Sequence, residues 1–213
     1  MPRRARFLVR AAAFSCLAAA TLAALPAQAH SSKPVASDSG IPIPALTHGQ
    51  MAVIAGYRSQ ILDLAGRQAH TDETFRRLMN YGAIQYTYCL WGLAPGSLRD
   101  EESPFNECSH AYLSAAQALL LTMRDMPGNS PAFRRDVESL ASRIDADMVR
   151  GGASLVLCQF SDEPFNTASL IRPIWSDIPS HPPSLIAFGV LAMGIGAGAL
   201  GLAGGGRRRQ PSA

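Results

Sequence analysis

Apolar residues follow two patterns along this chain. In residues 7–25 and 185–203 they run almost unbroken, whereas between residues 45 and 150 they recur every three or four positions, the period of an amphipathic helix. Four helices are predicted in that middle region. Thr47-x-x-Gln50 forms a capping box, and Met51, Ile54, Tyr57, Ile61 and Leu64 follow at helical spacing as far as Gly66. Thr71, with Asp72 and Glu73 in the first turn, opens a second helix carrying Phe75, Leu78, Met79, Tyr86, Cys89, Leu90 and Leu93, closed by Pro95-Gly96. Ser103-Pro104 starts a third, with Phe105, Cys108, Tyr112, Ala115, Ala116, Leu119, Leu120 and Met123 as its stripe before Pro127-Gly128. Ser130-Pro131 repeats that start signal, and Phe133, Val137, Leu140, Ala141, Ile144 and Met148 form the buried face before Gly151-Gly152.

Short connections at 67–70 and 127–130 favour antiparallel neighbours, so the expected fold is all-α: a small up-down bundle of about four helices over residues 45–160. No alternating β pattern competes with it. Residues 30–44, with Ser, Pro and Gly and little periodicity, are expected to be a flexible lead-in. Residues 161–183, with Pro164, Pro173, Pro179, Pro182 and Pro183, suggest a partly extended stalk. Ile171, Ile174, Trp175 and Ile178 are too apolar for a bare linker, and are expected either to pack back on the domain or to lie at a membrane interface.

The two unbroken apolar stretches have different flanks. Arg3, Arg4, Arg6 and Arg10 introduce the first, which closes on Pro26-Ala27-Gln28-Ala29; residues 1–29 therefore predict a secretory signal peptide, with the mature chain beginning at His30. The second carries no charge, is close to the ~20 residues needed to cross a bilayer core, and precedes Arg207-Arg208-Arg209. It predicts a transmembrane helix over 184–204 and a basic cytoplasmic tail over 205–213. The domain would then stand in a bacterial periplasm, held to the inner (cytoplasmic) membrane by a single pass. Gly194, Ala197, Gly198, Gly201 and Gly205 share one face of that helix, a small-residue surface suited to helix packing and self-association.

Pro182-Pro183-Ser184, the Gly-rich apolar helix and the terminal arginines together are similar to bacterial C-terminal sorting signals of the PEP-CTERM kind. This chain has His181-Pro182-Pro183 where those signals carry Pro-Glu-Pro, and the resemblance covers only the last thirty or so residues. It implies that the helix is a processing tag and that the mature domain is released or transferred.

Charge adds little to this picture. The formal net charge of +3 arises largely from arginines at the two ends, so the external part is close to neutral and no nucleic-acid partner is implied. The external length suits one small domain.

Cys89, Cys108 and Cys158 remain after removal of the leader, and helix direction places all three at one end of the bundle. Cys89 and Cys108 flank a hairpin turn at matching depth, so a disulfide between them fits an oxidising compartment, worth ~3 kcal/mol by loop-closure entropy. Other pairings of the three remain open. The alternative is a metal or thiol-redox site in which Cys89, Cys108 and Cys158 join His48 or His110, a donor set suited to copper or zinc. Cys108 and His110, two residues apart on a helix, point roughly 200° from each other and would not chelate together. Neither Cys-x-x-Cys nor His-Glu-x-x-His occurs. Glu101-Glu102 and Asp162-Glu163 have the character of solvated loop charge, and Tyr81, Tyr86, Tyr88 and Trp91 that of core or partner surface.

The expected function is a membrane-anchored helical binding protein whose partner is another envelope protein, with an exposed aromatic patch involving Tyr88 and Trp91. An inhibitor or immunity-type envelope protein is a narrower form of this, and a metal-handling or thiol-redox accessory is the alternative. No catalytic motif points to an enzyme.

Overall fold

The structure, a computed structural model, describes residues 40–150 and 164–205, with side chains as far as Gly201. The expected signal peptide, the run containing Cys158 and the terminal arginines lie outside the described residues. The element order is β1 (Pro42–Ile43), α1 (His48–Gly66), α2 (Glu73–Tyr88), a 3-10 turn (Leu90–Gly92), α3 (Asn106–Asp125), α4 (Pro131–Arg150), β2 (Phe165–Asn166), a 3-10 segment (Trp175–Ser180) and α5 (Pro182–Gly205).

Three helices start where side-chain capping dictates. Thr47 Oγ1 accepts from Gln50 N–H at 3.2 Å while Gln50 Oε1 accepts from Thr47 N–H at 2.9 Å, satisfying two otherwise unpaired donors of α1. Asp72, not Thr71, caps α2, its carboxylate accepting from Phe75 N–H at 2.7 Å. Ser130 caps α4 in the same way through Phe133 N–H at 3.2 Å. The third helix departs from expectation. It begins at Asn106 with no side-chain cap, two residues after Pro104.

α3 is the centre of the packing. Thirteen of its twenty residues are buried, on more than one face, so it carries neighbours on several sides. α2 runs antiparallel to it, with Tyr86 edge-on to Tyr112 and Gly82 admitting the Ala115 methyl. α1 runs parallel to it, placing His48 beside His110 and Arg58 beside Tyr112. α4 lies antiparallel to α1, where Tyr57 donates to Asp147, Arg143 to Gln60 and Arg67 to Asp136. The consecutive helices α1 and α2 therefore contact α3 much more than each other, unlike the sequential pairing that their short connection suggests. A two-sided apolar α3 competes for both, and burial against it exceeds what a shared loop can enforce.

The flanking segments also differ from expectation. Residues 40–44, expected as a flexible lead-in, include β1, which pairs antiparallel with β2 in the register Pro42↔Asn166 and Ile43↔Phe165. Ile43 and Phe165 are both in the core, and this burial holds a ladder too short to stand by itself. The stalk expected over 161–183 is fastened to the helices from Phe165 onward. Gln85, fully buried in α2, donates to Ile171 C=O and accepts from Ile171 N–H, each at 3.0 Å. Ile174 N–H donates to Pro104 C=O at 3.0 Å. Of the two roles expected for the apolar residues of this segment, Ile171 takes the first and packs on the core.

α5 then leaves the domain. Its window Pro182–Gly201 has mean hydropathy 1.9, is only 6% buried, and is long and apolar enough to cross a membrane.

Candidate functional site at the disulfide end

The helix directions gather the starts of α1 and α3 and the end of α2 at one end of the domain, and α5 departs from that end. Cys89 follows the last residue of α2 and Cys108 lies in the first turn of α3; their sulfurs are at disulfide distance, with Cα atoms 5.8 Å apart. Both are buried, and the Ser109 hydroxyl points at Cys89 Sγ from 4.0 Å. A disulfide consumes both thiols, so neither is a metal ligand or a nucleophile in this state.

His48 and His110 meet edge-on, ring centroids 5.9 Å apart. His110 is fully buried and hydrogen-bonds the Leu46 backbone; burial first, and the neighbouring His48 second, push its pKa down to about 4. It is a neutral imidazole near pH 7. Cys108 turns to Cys89 and His110 to His48, the divergence expected for two residues on one helix. Among the described residues no three His, Cys, Asp or Glu side chains gather as a metal would need, and Cys158 lies outside them. A metal bound by His48 and His110 would require further donors.

The sequence between α2 and α3 supplies the exposed part of this end. α2 stops at Tyr88, five residues before the expected Leu93, because Leu90 (φ 50°) and Trp91 (φ 55°) adopt left-handed backbone. Such conformations are uncommon for bulky side chains and persist only when the surroundings enforce them. Here the Cys89–Cys108 link anchors the turn at its base. Trp91 is 53% exposed and Leu93 78% exposed. Of the expected aromatic patch, Trp91 is exposed and Tyr88 lies under the Arg172 guanidinium at 5.7 Å; Tyr81, read as core or partner surface, is core.

The base of α5 is docked on the same loop. His181 Nδ1 accepts from Ser184 N–H at 3.3 Å and from its hydroxyl at 2.7 Å, capping the helix, while Nε2 faces Asp100 Oδ2 at 2.8 Å. The hydrogen bond from His181 holds the Asp100 carboxyl below its ordinary range, against a smaller opposing effect of burial. An Asp–His–Ser series suggests nucleophilic catalysis, but Ser184 is fully buried and its Oγ is three residues from the imidazole on one turn. The group is a helix cap and a tether. Beside it Phe105 packs edge-on to Trp175 at 5.5 Å and stacks on Phe188 of α5 at 6.2 Å.

Two further concavities occur. Because α1 and α2 flank α3 without closing on each other, a groove of about 200 Å³ lies between them, lined by Leu62, Leu78, Met79, Ala115 and Leu119 with Arg58 stacked 3.4 Å over Tyr86. A second, of about 360 Å³, lies between α1 and α4 and is lined largely by polar groups including Asp63, Arg67, Asp136 and Arg143.

The sequence placed Cys89, Cys108, His48 and His110 at one end, and it did not signal that the two histidine rings meet. It carried no signal for Asp100 with His181, 81 positions apart, nor for Phe105 with Trp175 and Phe188. No protein-family model, curated protein or solved structure matches the chain.

Proposed function

We propose that the chain is a single-pass protein of a bacterial cell envelope, whose external helical domain binds another envelope protein and whose C-terminal helix α5 lies in the cytoplasmic membrane. The observation that carries this reading is α5 itself: over its apolar window it is 6% buried, and a helix of that hydropathy has no favourable place in water. Three sequence features support the orientation. These are the leader over 1–29, the arginine cluster at 207–209, and a cysteine pair at disulfide distance, which suits an oxidising compartment. The small-residue face of Gly194, Ala197, Gly198, Gly201 and Gly205 supports packing against a second membrane helix, either another copy or the partner's.

The test is thiol accessibility in intact bacterial cells expressing the full chain. With Cys158→Ser in both variants to remove the remaining native thiol, Ser139→Cys, on the exposed face of α4, should label with a membrane-impermeant maleimide, and Ser212→Cys in the tail should label only after permeabilisation. Labelling of both positions in intact cells would overturn the topology. Recovery of a domain cleaved near residue 182 would instead favour the sorting-signal resemblance, with α5 as a tag. The metal-handling alternative would need Cys89 and Cys108 reduced, and a metal bound at unit stoichiometry by the reduced full chain would restore it.

A further inference from the structure

We infer that the disulfide end of the domain rests on the phospholipid surface itself, with the turn at Trp91–Leu93 seated in the interfacial layer beside the base of α5. The inference deepens the anchored topology proposed above and rests on it.

No spacer separates the domain from α5. From Ile174 to Phe188 the chain is bonded or packed continuously to the domain: Ile174 N–H to Pro104 C=O, His181 to Asp100, Phe188 on Phe105. Phe188 already belongs to the apolar window Pro182–Gly201. That window of 20 residues, at 1.5 Å per residue, is about 30 Å long, the thickness of the hydrocarbon core. No length is left over to hold the domain away from the bilayer. The loop between α2 and α3, joined to α5 through Asp100 and Phe105, must then lie close to the headgroups.

That loop exposes side chains suited to such a surface. Trp91 and Leu93 project from a left-handed turn fixed at its base by Cys89–Cys108, and Trp175 and Ile174 are exposed at the foot of α5. Exposed Arg99 and Arg172 accompany them. Tryptophan with arginine is the composition of an interfacial belt, where an amphipathic ring sits at the headgroup level and a cation meets phosphate. These side chains stand out from the surface at the point where α5 would enter the lipid.

The chain has only two tryptophans, Trp91 and Trp175, so each can be read alone. The full chain would be reconstituted into vesicles of phosphatidylcholine and phosphatidylglycerol as the Trp175→Phe and Trp91→Phe variants, both conservative at exposed positions. Emission would be compared with lipids brominated near the headgroup, lipids brominated deep in the acyl chain, and aqueous iodide. Trp91 is expected to lose about half its emission to the shallow bromines and little to iodide, as is Trp175, the depth of an interfacial ring. If the protein resists alkaline extraction and Trp175 is quenched by lipid, but Trp91 is quenched by iodide alone, the resting surface is overturned and the anchor stands. Trp91 shielded from both quenchers would mean that protein covers it, which also overturns the inference. If alkali extracts the chain and neither tryptophan senses lipid, the anchor fails and this inference with it.

Discussion

α3 and α5 are both rich in apolar residues, and their surroundings are opposite. In α3, thirteen of twenty residues are buried although the helix includes Asn106, Ser109, His110 and Ser114, whereas the more apolar α5 is 6% buried over its window. Part of this polar content finds partners, since Asn106 Nδ2 donates to Ser97 C=O at 3.3 Å and the Ser109 hydroxyl faces the Cys89 sulfur, while Asn106 Oδ1 and the Ser114 hydroxyl are buried without a hydrogen-bond partner among the described residues. α5 past Phe188 is glycine, aliphatic residues and Met193 alone, with nothing within 4 Å of where a Cβ would stand on Gly194, Gly196, Gly198 or Gly201. Apolar content alone therefore does not say what will cover a helix. A helix that places polar side chains among protein neighbours, as α3 does, is core; one with no polar side chain past its first turns is suited to lipid, where each unpaired polar group would be costly.

That contrast can be tested by paired truncations. Leu113→Ala in α3, where the side chain is fully buried, should lower unfolding stability by about 2–5 kcal/mol in chemical denaturation of the detergent-solubilised full chain. Leu191→Ala in α5, at an exposed position, should leave the same transition unchanged. Comparable losses at both sites would mean that α5 packs into the domain.

The next effects concern the start of α3. Replacing both Cys89 and Cys108 with Ser opens a link of sequence separation 19 and should cost about 3 kcal/mol in the same measurement. His110 gives a pH dependence of similar size. Its folded pKa of about 4 lies below the ordinary value of 6.5, so its contribution is fully present above pH 6.5 and is lost as the unfolded state takes up a proton on descent toward pH 4. That loss is about 3 kcal/mol, and the slope between those limits should flatten in His110→Gln. Asp100 adds a smaller loss below the ordinary carboxylate range, because its folded pKa is depressed, and Asp100→Asn should remove it.

Gln85→Ala should cost about 1–3 kcal/mol by leaving the Ile171 backbone groups unpaired. It should also make residues 164–175 newly sensitive to limited proteolysis. The smallest effect is expected at the surface: Arg67→Ala, which removes an exposed ion pair to Asp136, should change stability by no more than about 0.5 kcal/mol.

Much of the helical pattern was legible in local chemistry. The capping box at Thr47 and Gln50 and the Ser130-Pro131 start are contacts within one turn, so neighbouring letters suffice to predict them. The stripe of α4 was legible because that helix buries one face only. What escaped was non-local. The 3-10 turn at Leu90–Gly92 lies in an apolar run that by pattern continues α2, and only the turn toward α3 breaks it. Strand β1 is two residues long and exists because Ile43 and Phe165 are buried together although they lie 122 positions apart in a mostly helical chain.

The candidate site divides in the same way. Helix direction placed Cys89 and Cys108 at one end of the domain and made their disulfide one of the possible pairings, and it placed His48 and His110 at that same end without predicting that their rings meet. Local pattern was enough to mark α5 as a separate, uninterrupted apolar helix, since twenty residues with no charge admit few alternatives, and to pick out most of the residues that face the core on α1 and α4. Only the tertiary structure decided that α1 and α2 flank α3, that the segment after Phe165 is fastened to Gln85, and that His181 ties α5 to Asp100. Those outcomes depend on which surfaces compete for one central helix and on hydrogen bonds between residues more than eighty positions apart, and neither is written in the spacing of neighbouring residues.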